Sequence, residues 1–190
     1  MKDKTPVFFR SFNSFLEITP PILKEYNIKG ILTDLDDTLV THNYPTPTRE
    51  VIAWIETLRK ENISICLISN NQKKRVWGFT KTLDVGYFYN SFKPRTHVIE
   101  SAFAVMNLSK DETVFIGDQL FTDIKAANRA GVRAFLVKPL GTKSTLFIKL
   151  KRKFERKILK LPKLKNSPQS LIKEKPLFYF VPKIVVILPE

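Results

Sequence analysis

The sequence predicts an α/β fold, a central parallel sheet of about five strands with helices on both faces. Two observations carry this reading. Between residues 28 and 138, short apolar runs alternate with segments whose apolar residues recur at helical spacing, the pattern of consecutive βα units. The chain has 190 residues, 43% hydrophobic and 26% charged. A chain of that size buries about 70% of the surface that its unfolded form exposes, so the core needs neither a disulfide nor a structural zinc. The single cysteine, Cys66, could supply neither. No apolar run approaches the roughly 18 residues of a spanning helix. The start, MKDKTPVFFRSFNSF, lacks the tripartite pattern of a secretory signal. A reducing, cytoplasmic compartment is the expectation.

The elements follow in order. ITPPILKEYN reads as a helix start, with Thr19 at the N-cap and Pro20 at the first helical position, where its missing N–H is harmless. IKGILTDL (28–35) is a buried strand. In 49–62, Val51, Ile52, Ile55 and Leu58 fall at helical spacing. Strand 63–69, helix 71–83, a short strand in VGYFYN, helix 96–108, strand 112–118, helix 121–131 and strand 132–138 complete the alternation. Tyr87, Phe88 and Tyr89 read as core and rim packing. There is no internal repeat.

In a sheet of this kind, ligands bind beyond the carboxyl ends of the strands. The first strand ends in Asp34-Leu35-Asp36-Asp37-Thr38 and the second in Ser69-Asn70-Asn71. The third is followed by Lys93-Pro94, and the fourth ends in Gly117-Asp118, with Asp123 five residues later. Any one of these strings also serves as a helix cap or a turn. Four in succession, each at a strand end, point to chemistry.

A carboxylate can attack phosphorus and split one displacement into two, provided that the repulsion between anions is cancelled. Asp34 and Asp118 face each other across strand ends and fit a magnesium ion, which takes one or two carboxylates plus substrate oxygens and water. Lys93 would neutralise the phosphoryl oxygens, with Ser69 donating a hydrogen bond. Asp36, past the end of the strand, is placed to face the leaving oxygen as general acid and later as base for water.

These residues carry a resemblance. Asp34-Leu35-Asp36-Asp37-Thr38-Leu39 is similar to the first motif of haloacid dehalogenase superfamily phosphatases of the minimally capped class (subclass III). Ser69 is similar to the second motif, Lys93 to the third, and Gly117 to Asp123 to the fourth. ITPPILKEYNIKGILTDLDDTLV, LISNN, KP and IGDQLFTDIKAANRAG resemble the bacterial YqeG family and the related phosphatidylglycerophosphate phosphatases of mitochondria and plastids, over about residues 8 to 160. The resemblance implies a Rossmann-like fold without a cap domain. It makes Asp34 the nucleophile, Asp36 the general acid/base, and Ser69 and Lys93 the phosphate binders, with Asn70 and Thr38 shaping turns and donating near the phosphate. It places Mg2+ on Asp34, the Asp36 backbone carbonyl and Asp118, with Asp123 orienting metal waters or Lys93. Position 37 is Asp where the family more often has Asn.

The gaps from Asp34 to Ser69 and from Ser69 to Lys93 are filled by a turn, short loops, helices and strands. An open site suits a phosphomonoester on something large or anchored. His42, Asn43 and Tyr44 lie in the loop where they could touch a leaving group.

The formal net charge of +14 is concentrated. Residues 138–175 hold 13 Lys and Arg against 2 acidic residues, whereas residues 1–137 hold 18 against 15. Within 144–161, Phe147, Leu150, Phe154, Ile158 and Leu161 fall on one helical face ringed by lysines and arginines, an amphipathic basic helix. It either packs on the domain or lies on an anionic membrane. The expected division is a phosphatase domain with an N-terminal helix over 1–142, the basic helix over 143–161, and a tail over 162–190. The expected substrate is a phosphomonoester on an anionic phospholipid, namely phosphatidylglycerophosphate, met at the inner face of the membrane. A phosphatase acting on nucleic-acid ends or another soluble phosphomonoester is the second reading, with nucleic acid as the secondary partner, and a non-catalytic binding or assembly module the third.

Overall fold

In the computed structural model, residues 6–141 are described. The basic helix expected over 143–161 and the tail over 162–190 lie outside the described residues.

Alternation along each strand sorts the core into two layers. Ile31, Ile65, Leu67, Val114, Ile116 and Phe135 point to one face of the sheet. Leu32, Cys66, Ile68, Phe115, Ala134 and Leu136 point to the other. Period-two burial on both faces is what a central parallel sheet demands, since helices cover each side. The strands are β1 (Arg10–Phe12), β2 (Gly30–Thr33), β3 (Ser64–Ile68), β4 (Gly86–Phe88), β5 (Thr113–Gly117) and β6 (Arg133–Val137). They form one sheet in the order β1-β6-β5-β2-β3-β4, and every pair is parallel. The helices are α1 (Pro20–Glu25), α2 (Arg49–Lys60), α3 (Lys73–Thr80), α4 (His97–Met106) and α5 (Lys125–Ala130). Buried side chains of α1, α2 and α3 join the first layer, and those of α4 and α5 join the second.

The sheet has six strands, not the expected five. The extra one, β1, adds parallel to β6 with Arg10 opposite Phe135 and Phe12 opposite Val137. Three residues are too few to show an alternation. What holds the strand is aromatic packing, with the Phe12 and Phe135 rings 5.1 Å apart and Phe9 stacked on Phe135 at 6.2 Å. Thr19 does occupy the N-cap of α1, with Pro in the first turn, but its side chain makes no capping bond. In α2 the buried residues are Val51, Trp54, Ile55 and Leu58, while Ile52 is 37% exposed. The i, i+3, i+4, i+7 stripe runs through Trp54, and Ile52 lies off it. The Trp54 indole N–H donates to the Ile18 carbonyl at 2.9 Å, which ties α2 to the segment before α1.

The turn before β5 is closed by a capping box. Glu112 Oε2 accepts from the Ser109 hydroxyl at 2.7 Å, and Lys29 Nζ donates to Oε1 at 2.7 Å. These hydrogen bonds, from Lys29 first and then Ser109, hold the Glu112 carboxyl down at about 2, below its ordinary 4.5. A depressed folded value means that the contribution is complete above the unfolded value and disappears as pH falls through the folded one. Glu112→Gln is therefore expected to melt below the wild type at pH 7, and the gap should close between about pH 4.5 and about pH 2. A melting series across that range checks it.

The chain runs outward from β2 to β3 and β4, then returns to the other side of β2 for β5 and β6. The reversal falls between β2 and β5. A crevice opens at such a point beyond the carboxyl ends of the strands. Among the described residues no further helix intervenes in the loop from β2 to α2 or in the short loop from β3 to α3.

Candidate active site

Four loops meet at the crevice. Asp34 follows β2 directly, and its N–H still donates to the Ile116 carbonyl of β5, so its position is fixed by the sheet itself. The chain then turns back. Leu39 and Val40 N–H groups donate to the Leu35 carbonyl, Asp37 N–H donates to the Val40 carbonyl, and Asp37 takes a left-handed φ of 64°. Asn and Asp tolerate that conformation better than bulkier residues do.

Lys93 is the centre of the site. Its side chain is 2% exposed, and its ammonium contacts Asp34 Oδ1 at 2.6 Å and Asp123 Oδ1 at 2.8 Å while donating to the Ile68 carbonyl at 2.7 Å. All three donors of the ammonium thus have an acceptor. The Asn70 amide fixes the Lys93 backbone from both sides, its Oδ1 accepting from Lys93 N–H at 2.7 Å and its Nδ2 donating to the Lys93 carbonyl at 3.3 Å. Asn70, expected to shape a turn and to donate near the phosphate, shapes the loop that carries Lys93. Ser69, 2% exposed, accepts the Asn71 N–H on its hydroxyl at 3.1 Å. Its own proton remains available to donate.

On the fourth loop, Asp118 follows β5, and the Thr38 hydroxyl donates to Asp118 Oδ1 at 3.3 Å. Asp123 reaches the cluster because Leu120–Ile124 forms a π-helical turn ahead of α5. Such turns occur often at functional sites. Asp123 Oδ2 accepts the Gln119 N–H at 3.0 Å, which leaves Oδ1 to Lys93. Of the two roles expected for Asp123, the geometry displays the contact with Lys93. The close passage of Asp123 needs Gly117. A Cβ there would stand 2.6 Å from the Asp123 carboxyl carbon and Oδ2. Gly117→Ala should destabilise the domain by about 1–3 kcal/mol through overpacking, read from urea denaturation, and should lower activity by displacing Asp123 from Lys93.

Asp34, Asp118 and Asp123 each bring a carboxylate oxygen within 4.8 Å of the others, and all three residues are buried. Burial pushes the Asp34 carboxyl up to about 7; the Lys93 charge opposes the shift and the Asp123 charge adds to it. Burial alone would lower the Lys93 ammonium, but the Asp123 and Asp34 charges outweigh it and raise that group above the ordinary lysine value. Three buried carboxylates with one oxygen each so close together make an all-oxygen donor set, which fits a hard divalent cation. Cys66 offers no rival nucleophile, since burial pushes its thiol up to about 12.

Asp36 lies on the rim of the cluster with 16% of its side chain exposed. Its Oδ2 accepts from Asn71 Nδ2 at 2.5 Å, and its Oδ1 accepts from Arg75 Nε at 3.2 Å and Nη2 at 2.7 Å. Asn71 was visible in the sequence as a strand-end residue, whereas nothing singled out Arg75. The first turn of α3 carries Lys73, Lys74 and Arg75, all disfavoured by the helix dipole, so that signal did not set Arg75 apart. His42 Nδ1 stands 3.7 Å from Asp36 Oδ1 with its side chain 72% exposed, and Tyr44 is also exposed.

Residues 92–146, which carry Lys93, Asp118 and Asp123, match the family model described as HAD-hydrolase-like. That match, taken with the doubly wound sheet, its acidic cluster at the reversal point and the relative that follows, gives the class as a phosphatase of the haloacid dehalogenase superfamily. Over 156 residues the sequence is 38% identical to Probable phosphatase YqeG of Bacillus subtilis (strain 168), covering 82% of this chain and 91% of that protein. The chain belongs to the YqeG family of these phosphatases. Among solved structures it is similar in fold to the cobalt-bound form of deoxy-D-mannose-octulosonate 8-phosphate phosphatase from Haemophilus influenzae. That likeness has a TM-score of 0.51 and 17% identity, and it covers 67% of this chain and 77% of the other.

Proposed function

We propose that this phosphatase hydrolyses a phosphomonoester through an aspartyl phosphate on Asp34, with Mg2+ as cofactor and phosphatidylglycerophosphate at an anionic membrane surface as substrate. The observation that carries the mechanism is the buried contact of Lys93 with Asp34 and Asp123, beside Asp118, at the mouth of the sheet. Asp34, Asp118 and the Asp36 carbonyl would hold the cation, which would neutralise charge on the phosphoryl oxygens and on the carboxylate that attacks phosphorus.

The chain's own groups do the rest. An Asp34 oxygen forms a bond to phosphorus while the bond to the ester oxygen breaks, and Asp36 gives its proton to that departing oxygen. Water then attacks the phosphorus of the acyl phosphate, passes a proton to Asp36 and releases inorganic phosphate with Asp34 restored. Lys93 and Ser69 hold the phosphoryl oxygens in both steps.

The substrate reading is supported by the short loops at the mouth, which carry no further helix among the described residues, by membership of the YqeG family, and by the basic segment over 144–161, which lies outside the described residues. Among the described residues, no helix is long and apolar enough to cross a membrane. Phosphate release from phosphatidylglycerophosphate in anionic vesicles, with and without magnesium, tests the proposal beside soluble phosphomonoesters and nucleic-acid ends. Magnesium-dependent release favouring the vesicle substrate is expected. Release confined to soluble or nucleic-acid phosphates would overturn the substrate and keep the chemistry.

A further inference from the structure

Asp36 is held in an unusual way for a side chain on a turn. Its backbone is fixed by the bridge to Val40, while its carboxylate is fixed by two residues more than thirty positions away, Asn71 and Arg75. Both guanidinium contacts fall on one oxygen, Oδ1, and the amide takes the other, Oδ2. Arg75 is itself held. It lies in the first turn of α3, where a cation opposes the helix dipole. Its side chain is 15% exposed, and its guanidinium lies over the Phe79 ring at 5.6 Å. Its Nη1 is buried without an acceptor among the described residues. A cation placed against the dipole, with one donor left unpaired, is a poor device for pinning a helix to a loop. It is a good device for fixing the plane of one carboxyl group.

We infer that Arg75, assisted by Asn71, is the positioning residue for proton transfer by Asp36. This rests on Asp36 being the general acid of the proposed mechanism. Oδ1 accepts two N–H groups and Oδ2 only one, so Oδ2 is the oxygen with a position left for the proton that is donated. The proton leaves Oδ2 for the ester oxygen as the bond from that oxygen to phosphorus breaks, and the negative charge that it leaves on Asp36 is met by the guanidinium already in place. Arg75 touches neither the phosphate nor the leaving group, and acts only through Asp36.

The consequence depends on the leaving group. A nitrophenolate departs with little help from a proton donor, while phenolate and alkoxide need one. The quantity to measure is kcat/KM, which covers only the steps through first bond cleavage. It would be taken for nitrophenyl and unsubstituted phenyl phosphate with the full chain and its Arg75→Ala, Arg75→Lys and Asp36→Asn variants. Arg75→Ala should lose about 100-fold on phenyl phosphate and less than about threefold on the nitrophenyl ester, and Arg75→Lys should recover part of the difference. Retained nitrophenyl turnover also reports that the variant is folded. Equal losses on both esters in Arg75→Ala and Arg75→Lys, with Asp36→Asn still selective for the poor leaving group, overturn the inference alone. Equal losses in Asp36→Asn overturn the proton-donor reading, and the inference falls with it.

Discussion

Asp34→Asn is expected to lower phosphate release by about 10³-fold or more while leaving the domain folded. The activity loss follows from chemistry, since an amide oxygen cannot form the acyl phosphate that splits the displacement in two. The retention of fold follows from the contacts around it. Asn has the same shape, keeps the N–H bond to Ile116, and can turn its carbonyl oxygen toward Lys93. Lys93 retains Asp123 at 2.8 Å and the Ile68 carbonyl at 2.7 Å. The substitution also removes one negative charge from a cluster in which burial already disfavours ionisation of Asp34. Release of phosphate from nitrophenyl phosphate and a thermal melt would be measured on the same preparation. Acid-quenched wild-type enzyme exposed to radiolabelled substrate should retain label and Asp34→Asn should not. Comparable turnover in the variant would remove Asp34 from the nucleophile role.

The sequence made the strand ends legible because the topology leaves little choice. Once 28–138 reads as βα units, Asp34, Ser69, Lys93 and Asp118 must fall at one edge of the sheet, and in the structure they do. The buried aliphatic residues of β2, β3 and β5 were equally readable from their composition. What stayed hidden depends on contacts across long separations or on short segments. β1 is three residues long and exists because of Phe9, Phe12 and Phe135. Asp123 was readable as a candidate, but its bond to Lys93 depends on a π-helical turn over Leu120–Ile124, where the sequence predicts an ordinary helix start at 121. Arg75 acquires meaning only when α3 is laid against the turn after β2, 39 positions away. Asn70 was readable as a residue that shapes a turn near the phosphate, but the turn it shapes, through its amide on the Lys93 backbone, joins positions 23 apart.

Lys93→Met should produce the largest change in stability, and the change should be divisible by a cation. Met keeps the unbranched length of the side chain and removes only the charge and its three hydrogen bonds. Breaking a buried ion pair by deleting one partner costs about 3–5 kcal/mol, because the other charge is left without compensation. Here two carboxylates lose their partner together, with Asp118 close by. A fall in Tm on the order of 10 °C is expected for a domain of this size in chelator. A divalent cation binds the folded cluster and not the dispersed carboxylates of the unfolded chain. At a hundred times its Kd it restores about 2.7 kcal/mol, so adding magnesium should recover much of the lost Tm in Lys93→Met. The wild type, whose cluster already holds one ammonium, should respond less. Melts with and without magnesium for the two proteins give four numbers, and the sign of their interaction is the test. An equal magnesium shift in both would mean that Lys93 and the cation occupy electrostatically independent places. A larger shift in the variant would mean that they act on the same carboxylate cluster, with Lys93 standing as the fixed positive charge around which a cation-dependent phosphatase site is built.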